Sequence, residues 1–389
     1  MKNNPRNVKG SVNDILKKRK LDSLILMNTS LNKNDPNINY FLGKSFEYCV
    51  LVFRRNQKTL VIPELEYGRA KNLEKKGFSI KVVKNQNLKE IFDDLKIRGN
   101  IGLNHEAVSL KEFDELRSSS EKNSISSNKS LKKYSNPIKK TVDINQDLKS
   151  LRIIKDQEEI NNIRVAAEFA DDIISRLFIR LKDNKKTKEF RTEQDIANFL
   201  NIETYKSGLR TSFRPIVASA RNSSNPHHDP KDVIKKGFCI IDYGVKYKGY
   251  CSDMTRTIYF GNPSSLEKRF YDLVLKANND SIDFLRSGMK CSDIDRFCRD
   301  VLGKYSRYFI HGLGHGIGVE IHEAPKLGRK SVDILKKDMV FTIEPGIYFR
   351  NRFGIRIEDD VIILDNDLNK KNKKDILTNT TKELLCFEI

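Results

Sequence analysis

Apolar positions in the first 145 residues alternate between short strand-like runs and segments with helical spacing. SLILM (23–27) predicts a strand, and YCVLVF and KTLVIP, on either side of RRNQ, predict a hairpin. ELEYGRAKNLEKKG predicts a helix that ends at Gly77, and the strands FSIKVV and NIGLN are predicted on either side of the helix NLKEIFDDLKI. Such short, alternating elements are typical of a small independent α/β domain.

A polar stretch followed by a long helical pattern indicates a domain boundary near residue 145. Residues 118–136 are rich in Ser, Asn and Lys, which predicts a loop or mobile excursion rather than a core element. Residues 147–181 carry apolar side chains at helical spacing, which predicts a long helix with room for one break. We therefore predict one domain over 1–145 and a second over 146–389.

The second domain is predicted to mix helices with paired strands. TEQDIANFLNIETYKSG predicts a helix that Thr192 caps, followed by the strand FRPIVAS and the polar loop ARNSSNPHHDP. FCIIDYG and YCSDMTRTIYF predict a strand pair. Two amphipathic helices follow, and the rest is predicted to be mostly β structure. Together the two domains predict an α+β protein.

Two of the predicted hairpins bring acidic side chains together. Residues that face each other in a hairpin are equidistant from the turn. Facing positions for Asp242 and Asp253 require a turn inside the polar segment KYKG, and for Glu344 and Glu358 they require one at Asn351 in RNRFG. The sequence therefore predicts two hairpins that each set two carboxylates opposite one another.

These carboxylates follow apolar strand residues, so we expect them to be partly buried. Facing like charges destabilise a strand pair, and desolvation adds to the cost. A divalent cation relieves both costs, and four carboxylates with an imidazole suit Mn, Co, Fe or Zn and suffice for two ions with shared ligands. In the alternative interpretation the acids lie at strand ends and pair with Arg256, Arg350 or Arg356.

Three of the six histidines fall within HGLGHGIGVEIHE (311–323). Their spacing would place them on one face of a helix, but four alternating glycines argue against a helix. An extended chain, which substrate or metal can approach closely, fits the glycines better. In that conformation His311 and His315 share a strand face and His322 does not, so we expect different roles.

Composition narrows the class of protein further. The net charge is +20, yet Lys and Asn are abundant along the whole chain, so we expect a generally basic surface and no specific nucleic-acid site. The sequence contains no run of about 18 or more apolar residues, so we predict no membrane helix. The polar N-terminus does not resemble a secretory signal. Six cysteines without CxxC spacing predict reduced thiols and a cytoplasmic location.

Four motifs, in their order along the chain, resemble those of the pita-bread metallopeptidases: IDYGVKYKGYCSDMTRT, HGLGHGIGVEIHEAP, FTIEPGIY and GIRIEDDV. That family includes aminopeptidase P, prolidase, methionine aminopeptidase and creatinase. The first 145 residues, with NINYFLG and IGLN, are similar to the N-terminal domain of the aminopeptidase P, prolidase and creatinase branch. The resemblance implies a pita-bread catalytic domain, with a curved antiparallel sheet and flanking helices, after a smaller α/β domain of the creatinase type.

The resemblance also implies a site for two divalent ions. Its implied ligands are Asp242, Asp253, His315, Glu344 and Glu358. Asp253 and Glu358 would bridge the two ions, with Mn²⁺ expected first and Co²⁺, Fe²⁺ or Zn²⁺ as alternatives. A bridging hydroxide would attack the scissile carbonyl, and Glu344 would pass a proton towards the leaving nitrogen.

Further residues are assigned to the substrate by the same resemblance. His227, from the PHH motif, and His322 would hydrogen-bond the substrate and stabilise the developing oxyanion. Arg356, two residues before Glu358 and on the same strand face, would orient the metal ligands. For His311, substrate contact and packing both stay open.

Four other positions carry weaker signals. His228 is expected to be a solvated loop residue. Thr255 and Thr257 could hydrogen-bond ligand carboxylates, but their β propensity is the preferred explanation. Lys326 could anchor the free carboxylate of a dipeptide, although a plain surface lysine is the preferred interpretation.

All five ligand positions carry metal-binding residue types, which favours an active enzyme over a non-catalytic binding protein on this fold. The predicted function is cleavage of Xaa-Pro peptide bonds, as in aminopeptidase P, on peptides with proline at the second position. Prolidase, which splits Xaa-Pro dipeptides, is the alternative, and a non-peptide C–N hydrolase of the creatinase type is a further one. A homodimer is expected by the same resemblance.

Overall fold

The computed structural model describes residues 8–29, 34–121, 138–365 and 373–389 and divides into two compact units, Met1–Leu151 and Arg152–Ile389. The predicted boundary, residue 145, is the first residue of a helix, Asn145–Ile153. Helices and mainly antiparallel sheets are mixed in the chain, which confirms the α+β class. None of the helices in these ranges is long and apolar enough to cross a membrane.

The first unit contains one mixed six-stranded sheet with helices around it, in the order β4-β3-β2-β1-β5-β6. Its elements are α1 (Val8–Arg19), β1 (Ser23–Asn28), α2 (Pro36–Leu42), β2 (Cys49–Arg54), β3 (Gln57–Pro63), α3 (Tyr67–Ala70), β4 (Ser79–Val83), α4 (Leu88–Asp94), β5 (Gly99–Leu103), α5 (Leu110–Glu121) and β6 (Ile138–Asp143), followed by the helix α6 (Asn145–Ile153). Alternate residues of β1 enter separate apolar clusters, with Leu24 and Leu26 in one and Ile25 and Met27 in the other. Both faces of the sheet are therefore covered, as its continuous apolar strands require.

Most of the predicted elements of this unit are confirmed, with two corrections. The single helix predicted up to Gly77 is a short α-helix, α3, between 3₁₀ turns at Glu64–Glu66 and Lys71–Lys76. Gly68 inside it lowers the helix propensity. The loop predicted at 118–136 begins as the last turn of α5, which ends at Glu121, and its remainder from residue 122 lies outside the described residues.

The second unit contains long helices packed on short antiparallel sheets. Its helices are α7 (Gln157–Lys182), α8 (Asn184–Thr187), α9 (Glu193–Lys206), α10 (Ser265–Phe284) and α11 (Cys291–Leu302). Its strands are β7 (Arg210–Thr211), β8 (Ile216–Ser219), β9 (Gly237–Tyr243), β10 (Val245–Tyr247), β11 (Tyr250–Cys251), β12 (Met254–Phe260), β13 (Gly314–Gly316), β14 (Glu323–Leu327), β15 (Val340–Ile343), β16 (Gly346–Phe349), β17 (Phe353–Arg356), β18 (Asp359–Asp365), β19 (Lys373–Ile376) and β20 (Cys386–Phe387). One buried cluster lies between α7, α9 and the β9–β12 strands, and another lies between α10, α11 and strands β15 to β18.

Local signals explain where the helices of this unit begin. The predicted long helix has one break, between α6 and α7, where Asp156 and Glu159 form a capping box that starts α7. Thr192 caps α9 as predicted, with its side chain accepting from the N–H of Asp195. Cys291 and Cys298 are buried on α11 and belong to the cluster that packs this helix against its neighbours.

The register of the β9–β12 hairpin differs from the predicted one. Asp242 pairs with Thr255 and not with Asp253, and the turn is centred between Lys248 and Gly249. Both turn residues have positive φ, 45° and 86°, as a tight two-residue turn requires. The prediction placed the turn one residue too early, which shifts the pairing by two residues. Side chains alternate along a strand, so Asp242 and Asp253 still share a face.

The register of the second hairpin is as predicted. Ile347 pairs with Ile355 across β16 and β17, so the turn is centred on Asn351. The ladder continues beyond these strands, because the N–H of Ile357 donates to the carbonyl of Pro345. Glu344 and Glu358 are the next facing positions.

Candidate metal centre

The structure brings the carboxylates and the imidazole of the predicted ligand set together. One ligand atom each of Asp253, His315 and Glu358 lies within 4.8 Å of the others. Nε2 of His315 is 3.7 Å from Oδ2 of Asp253 and 3.6 Å from Oε1 of Glu344. Asp242 lies close enough to this group for its charge to help raise the pKa of Asp253, after burial and the charge of Glu358.

Three hydrogen bonds fix the positions of Asp253 and Glu358. The backbone N–H of Asp253 donates to Oδ2 of Asp360 at 2.9 Å. The backbone N–H of Glu358 donates to the carbonyl of Thr255, and the hydroxyl of Thr255 donates to Oε2 of Glu358 at 2.7 Å. An isolated bridge between Thr255 and Glu358 thus joins β12 to the end of β17.

Arg356 contacts Asp242, one of the residues of the predicted ligand set. Its Nη2 donates to Oδ2 of Asp242 at 2.6 Å, its Nε donates to the hydroxyl of Thr255, and its Nη1 donates to the hydroxyl of Tyr348. The Tyr348 hydroxyl also lies 3.0 Å from Nε2 of His311. Arg356, only 4% exposed, thereby connects β17 with β9, β12 and β16.

Burial makes ionisation of three of the carboxylates unfavourable in the protein without bound ions. Burial and then the charge of Glu358 raise the pKa of Asp253 well above its ordinary range. Burial and then the charge of Glu344 raise the pKa of Glu358 in the same way. Burial raises the pKa of Glu344 to about 7, although Arg356 acts in the opposite direction. Neighbouring acids that resist ionisation in this way need an added positive charge.

Two histidines of the site, His311 and His315, are held neutral. Burial, followed by the neighbouring His322, lowers the pKa of His315 to about 4. Burial, followed by the charge of Arg356, lowers the pKa of His311 to about 3. A neutral imidazole can offer a lone pair to a metal ion at ordinary pH, which is the form that coordination needs.

Unsatisfied oxygen atoms show that the residues fit a cation. Oδ1 of Asp242 and Oδ1 of Asp253 are buried and have no hydrogen-bond partner within the described ranges. A buried polar atom without a partner costs free energy, so such atoms are rare unless a ligand or ion satisfies them. Carboxylate oxygens with one imidazole nitrogen form a donor set for a hard or borderline divalent metal.

The alternating glycines have a different role from the predicted one. A Cβ on Gly314 would lie 1.9 Å from the carbonyl oxygen of Thr342, and one on Gly316 would lie 2.0 Å from that of Ala324. A Cβ on Gly318 would meet the carboxylate of Glu323. The prediction that the glycines leave room for substrate is therefore wrong at these positions, because neighbouring protein atoms fill the space.

The remaining predicted substrate residues lie near one another on the accessible side of the site. His227 and His322 are exposed, and the rings of His315 and His322 meet edge to face with 4.4 Å between centroids. Burial lowers the pKa of His322, the charge of Asp242 raises it, and the charge of His227 lowers it by a smaller amount. Burial lowers the pKa of His311 most, and the charge of His227 lowers it further. These histidines therefore lie close enough together for their charges to interact.

Several secondary predictions are corrected by the contacts. His228 is not solvated: its side chain is 10% exposed and its Nε2 lies 2.7 Å from Oε2 of Glu193. Thr255 does hydrogen-bond a ligand carboxylate, against the preferred explanation, whereas the Thr257 hydroxyl donates to the carbonyl of Arg356. Lys326 has an exposed side chain, in keeping with a surface lysine.

Sequence reasoning missed two residues that support the site, Tyr348 and Glu193. Tyr348 has the same strand parity as Glu344 in IEPGIY, which is a signal that it faces the same side. Glu193 carries no such signal, because it begins a helix far from the motifs in sequence and meets them only in the fold.

Comparison with known proteins agrees with this geometry. Residues 161–365 match metallopeptidase family M24, and residues 10–154 match the Creatinase/Prolidase N-terminal domain. The chain is 33% identical over 354 residues to a Xaa-Pro dipeptidase of Pyrococcus furiosus, covering 90% of this chain and 92% of that protein. A Xaa-Pro dipeptidase of Pyrococcus horikoshii is 30% identical, covering 96% of this chain and 97% of that protein.

Solved structures give the same result for both units. A Xaa-Pro dipeptidase from Bacillus anthracis superposes with a TM-score of 0.83 at 26% identity, covering 99% of this chain and 100% of that one. An X-Pro aminopeptidase from Thermotoga maritima superposes with a TM-score of 0.80 at 29% identity, covering 96% of this chain and 100% of that one.

Proposed function

This chain belongs to metallopeptidase family M24, and from that premise we propose that it cleaves Xaa-Pro bonds with two divalent metal ions held by Asp242, Asp253, His315, Glu344 and Glu358. The observation that carries the proposal is the group formed by Asp253, His315 and Glu358, with buried carboxylate oxygens that have no protein partner among the described residues. Such a group is costly without cations and well suited to them.

When bound, divalent ions would supply an activated water nucleophile and polarise the scissile carbonyl. The surrounding side chains orient the ligands, transfer the proton and bind the substrate. Arg356 holds Asp242 in one orientation, and Thr255 holds Glu358. Glu344 accepts a proton from the attacking water and returns it to the leaving nitrogen. His227 and His322 donate hydrogen bonds to the substrate and to the oxyanion that develops from its carbonyl.

For the substrate we now favour the alternative, prolidase, over the aminopeptidase P function predicted from sequence. Two relatives at 30% identity or more are named Xaa-Pro dipeptidase, and so is one of the best-superposing structures. An X-Pro aminopeptidase also superposes along nearly the whole chain, so both substrate lengths belong in the test.

The test compares hydrolysis of Ala-Pro with that of a longer peptide that begins Ala-Pro, each with Mn²⁺ or Co²⁺. Cleavage of the dipeptide with little or no cleavage of the longer peptide is expected. Cleavage of the longer peptide in preference would return the assignment to aminopeptidase P. Absence of metal-dependent cleavage of both would contradict the proposal.

We further propose Mn²⁺ as the first metal to test, with Co²⁺, Fe²⁺ and Zn²⁺ as alternatives, since the carboxylate-rich donor set suits harder ions. The peptide substrate follows from the family and its named relatives. A homodimer, a cytoplasmic location, and the absence of specific nucleic-acid and membrane partners stay predictions.

A further inference from the structure

Glu193 is a buried carboxylate for which the proposed reaction has no use. It is the first residue of α9 and is 0% exposed. Its Oε1 accepts from the N–H and hydroxyl of Ser219, at 2.7 and 2.9 Å, and from the amide of Asn222 at 2.9 Å. Such a charged group is stable in the interior only because so many donors surround it.

The second oxygen of Glu193 binds the segment that carries His227. Oε2 lies 2.7 Å from Nε2 of His228 and accepts from the backbone N–H groups of Lys231 and Asp232, at 3.4 and 3.2 Å. The N–H of Glu193 in turn donates to the carbonyl of Asp232 at 2.9 Å. The residues after His227 are therefore fastened to the start of α9 by one side chain.

The geometry of Glu193, His228 and Asp232 would admit a metal ion by distance alone, but their hydrogen bonds argue against one. Both oxygens of Glu193 already accept three donors each, and Asp232 is exposed and accepts from the amide of Asn222 at 2.8 Å. A cation at this place would have to displace N–H donors that face the carboxylate. The Glu193 carboxylate therefore holds the segment after His227 by hydrogen bonds.

His227 and His228 are consecutive residues with opposite surroundings. The His228 side chain is buried against Glu193, while His227 is exposed and acts electrostatically on His311 and His322. Fixing the ring of His228 therefore restricts where the ring of His227 can lie. A displacement of about 1 Å in a substrate-positioning group can cost about a hundredfold in rate.

We propose that Glu193 is a positioning residue for substrate recognition: through His228, Lys231 and Asp232 it holds His227 at the wall of the site that receives the substrate. This role rests on the proposed function, because it acts through the substrate contact of His227. It differs from ordinary helix capping, which Asp195 supplies two residues later by accepting from Arg191 and Thr192.

The main variant is Glu193→Gln, which keeps the shape but turns an amide NH₂ group towards N–H donors. We expect kcat/KM for a Xaa-Pro substrate to fall about 10- to 100-fold, with metal content unchanged. His228→Leu, which lacks the N–H donor, should lose activity similarly, and His228→Gln, which keeps a donor, should recover most of it. Asp195→Asn is the matched control on the same helix and should leave kcat/KM within about threefold of wild type.

Two readouts separate positioning from general destabilisation. Backbone amides of Lys231 and Asp232 should exchange hydrogen faster in Glu193→Gln than in wild type or Asp195→Asn, whether or not metal is bound. In a His227→Ala background, Glu193→Gln should change kcat/KM by less than about threefold, because its effect passes through the residue already removed.

Unchanged exchange in Glu193→Gln would overturn the inference, and so would an equally large loss of kcat/KM in the His227→Ala background. Either result leaves the proposed function intact. If the wild-type chain cleaves no Xaa-Pro substrate with any of the metals, the proposed function is overturned and the positioning role with it.

Discussion

The guanidinium of Arg356 donates a hydrogen bond of 2.6 Å to Oδ2 of Asp242, and both side chains are buried. This contact leaves the other oxygen of Asp242, Oδ1, without a protein partner in the described part of the chain. One carboxylate oxygen is thus held by the protein while the second is available to a cation. Such outer contacts fix the orientation of a ligand before the ion arrives.

Arg356→Lys should weaken metal binding about 10- to 100-fold, because a lysine cannot donate to Asp242, Thr255 and Tyr348 at once. Calorimetric titration of the metal-free protein with Mn²⁺ measures the change. Arg352→Lys, at an exposed position on the same hairpin, is the control and should bind as wild type. Equal affinities for the two variants would contradict the orienting role of Arg356.

Removal of metal should reverse the pH dependence of stability. A carboxyl group with a raised pKa binds its proton more tightly in the folded state, so the free energy of unfolding falls as pH rises through that window. For Glu344 the window runs from 4.5 to about 7, and the raised pKa values of Asp253 and Glu358 act in the same direction. The metal-free protein should therefore lose stability from about pH 5 to about pH 7.

Thermal unfolding with a chelator and with saturating Mn²⁺ measures this dependence. The Tm gained from metal should grow with pH, because the ligands bind metal in their deprotonated forms. Glu344→Gln removes one titrating group and should flatten the curve of the metal-free protein. A metal-free protein whose stability rises over the same range would count against the assigned carboxylates.

Asp253→Asn should stabilise the metal-free protein at neutral pH while it lowers the number of metal ions that the chain binds. The substitution removes a carboxyl group whose pKa is raised by burial and then by the Glu358 charge, and at a pH above its ordinary pKa such a group lowers the stability of the folded state. Chemical denaturation at neutral pH gives the free energy of unfolding.

Asp359→Asn is the matched control for that measurement. Burial alone would raise the pKa of Asp359, but Arg256 at 2.8 Å and Lys382 at 2.9 Å hold it below its ordinary range. Its loss should destabilise the protein by about 3–5 kcal/mol, because a buried guanidinium is left without its partner. The same sign of change in both variants would contradict the charge assignment.

Replacement of His315 by alanine and replacement of His322 by alanine should have different effects on metal content and on kcat. His315→Ala should lower the number of bound ions, since His315 lies between Asp253 and Glu344. His322→Ala should keep the metal content and lower kcat by roughly 100-fold or more, as loss of an oxyanion donor does. Metal analysis beside steady-state kinetics distinguishes the two, and metal loss in His322→Ala would place that residue among the ligands.

Local sequence patterns were sufficient for most elements and for the prediction that carboxylates of two hairpins lie together, whereas the choice of His315 came from the family resemblance. Apolar periodicity located β1, β2 and β3, and the Thr192 cap located the start of α9. Strand parity brought Asp242 and Asp253 to one face even though the predicted turn was wrong, because the resulting shift was two residues.

Contacts between distant segments were the part that the sequence did not reveal. The hydrogen bonds of Thr255 with Glu358 and of Glu193 with His228 depend on how separate elements pack. The glycines of 312–318 show the same limit: their pattern predicted an extended chain, but only the fold shows that the carbonyls of Thr342 and Ala324 fill the space beside them.

The most direct test of the two-metal account is a titration of chelator-treated protein with Mn²⁺, with Ala-Pro hydrolysis and bound metal measured on the same samples. Activity should be absent without metal and reach its maximum at about two ions per chain, while Asp253→Asn binds fewer ions and does not turn over. Hydrolysis by the metal-free chain, or full activity of Asp253→Asn, would contradict the account.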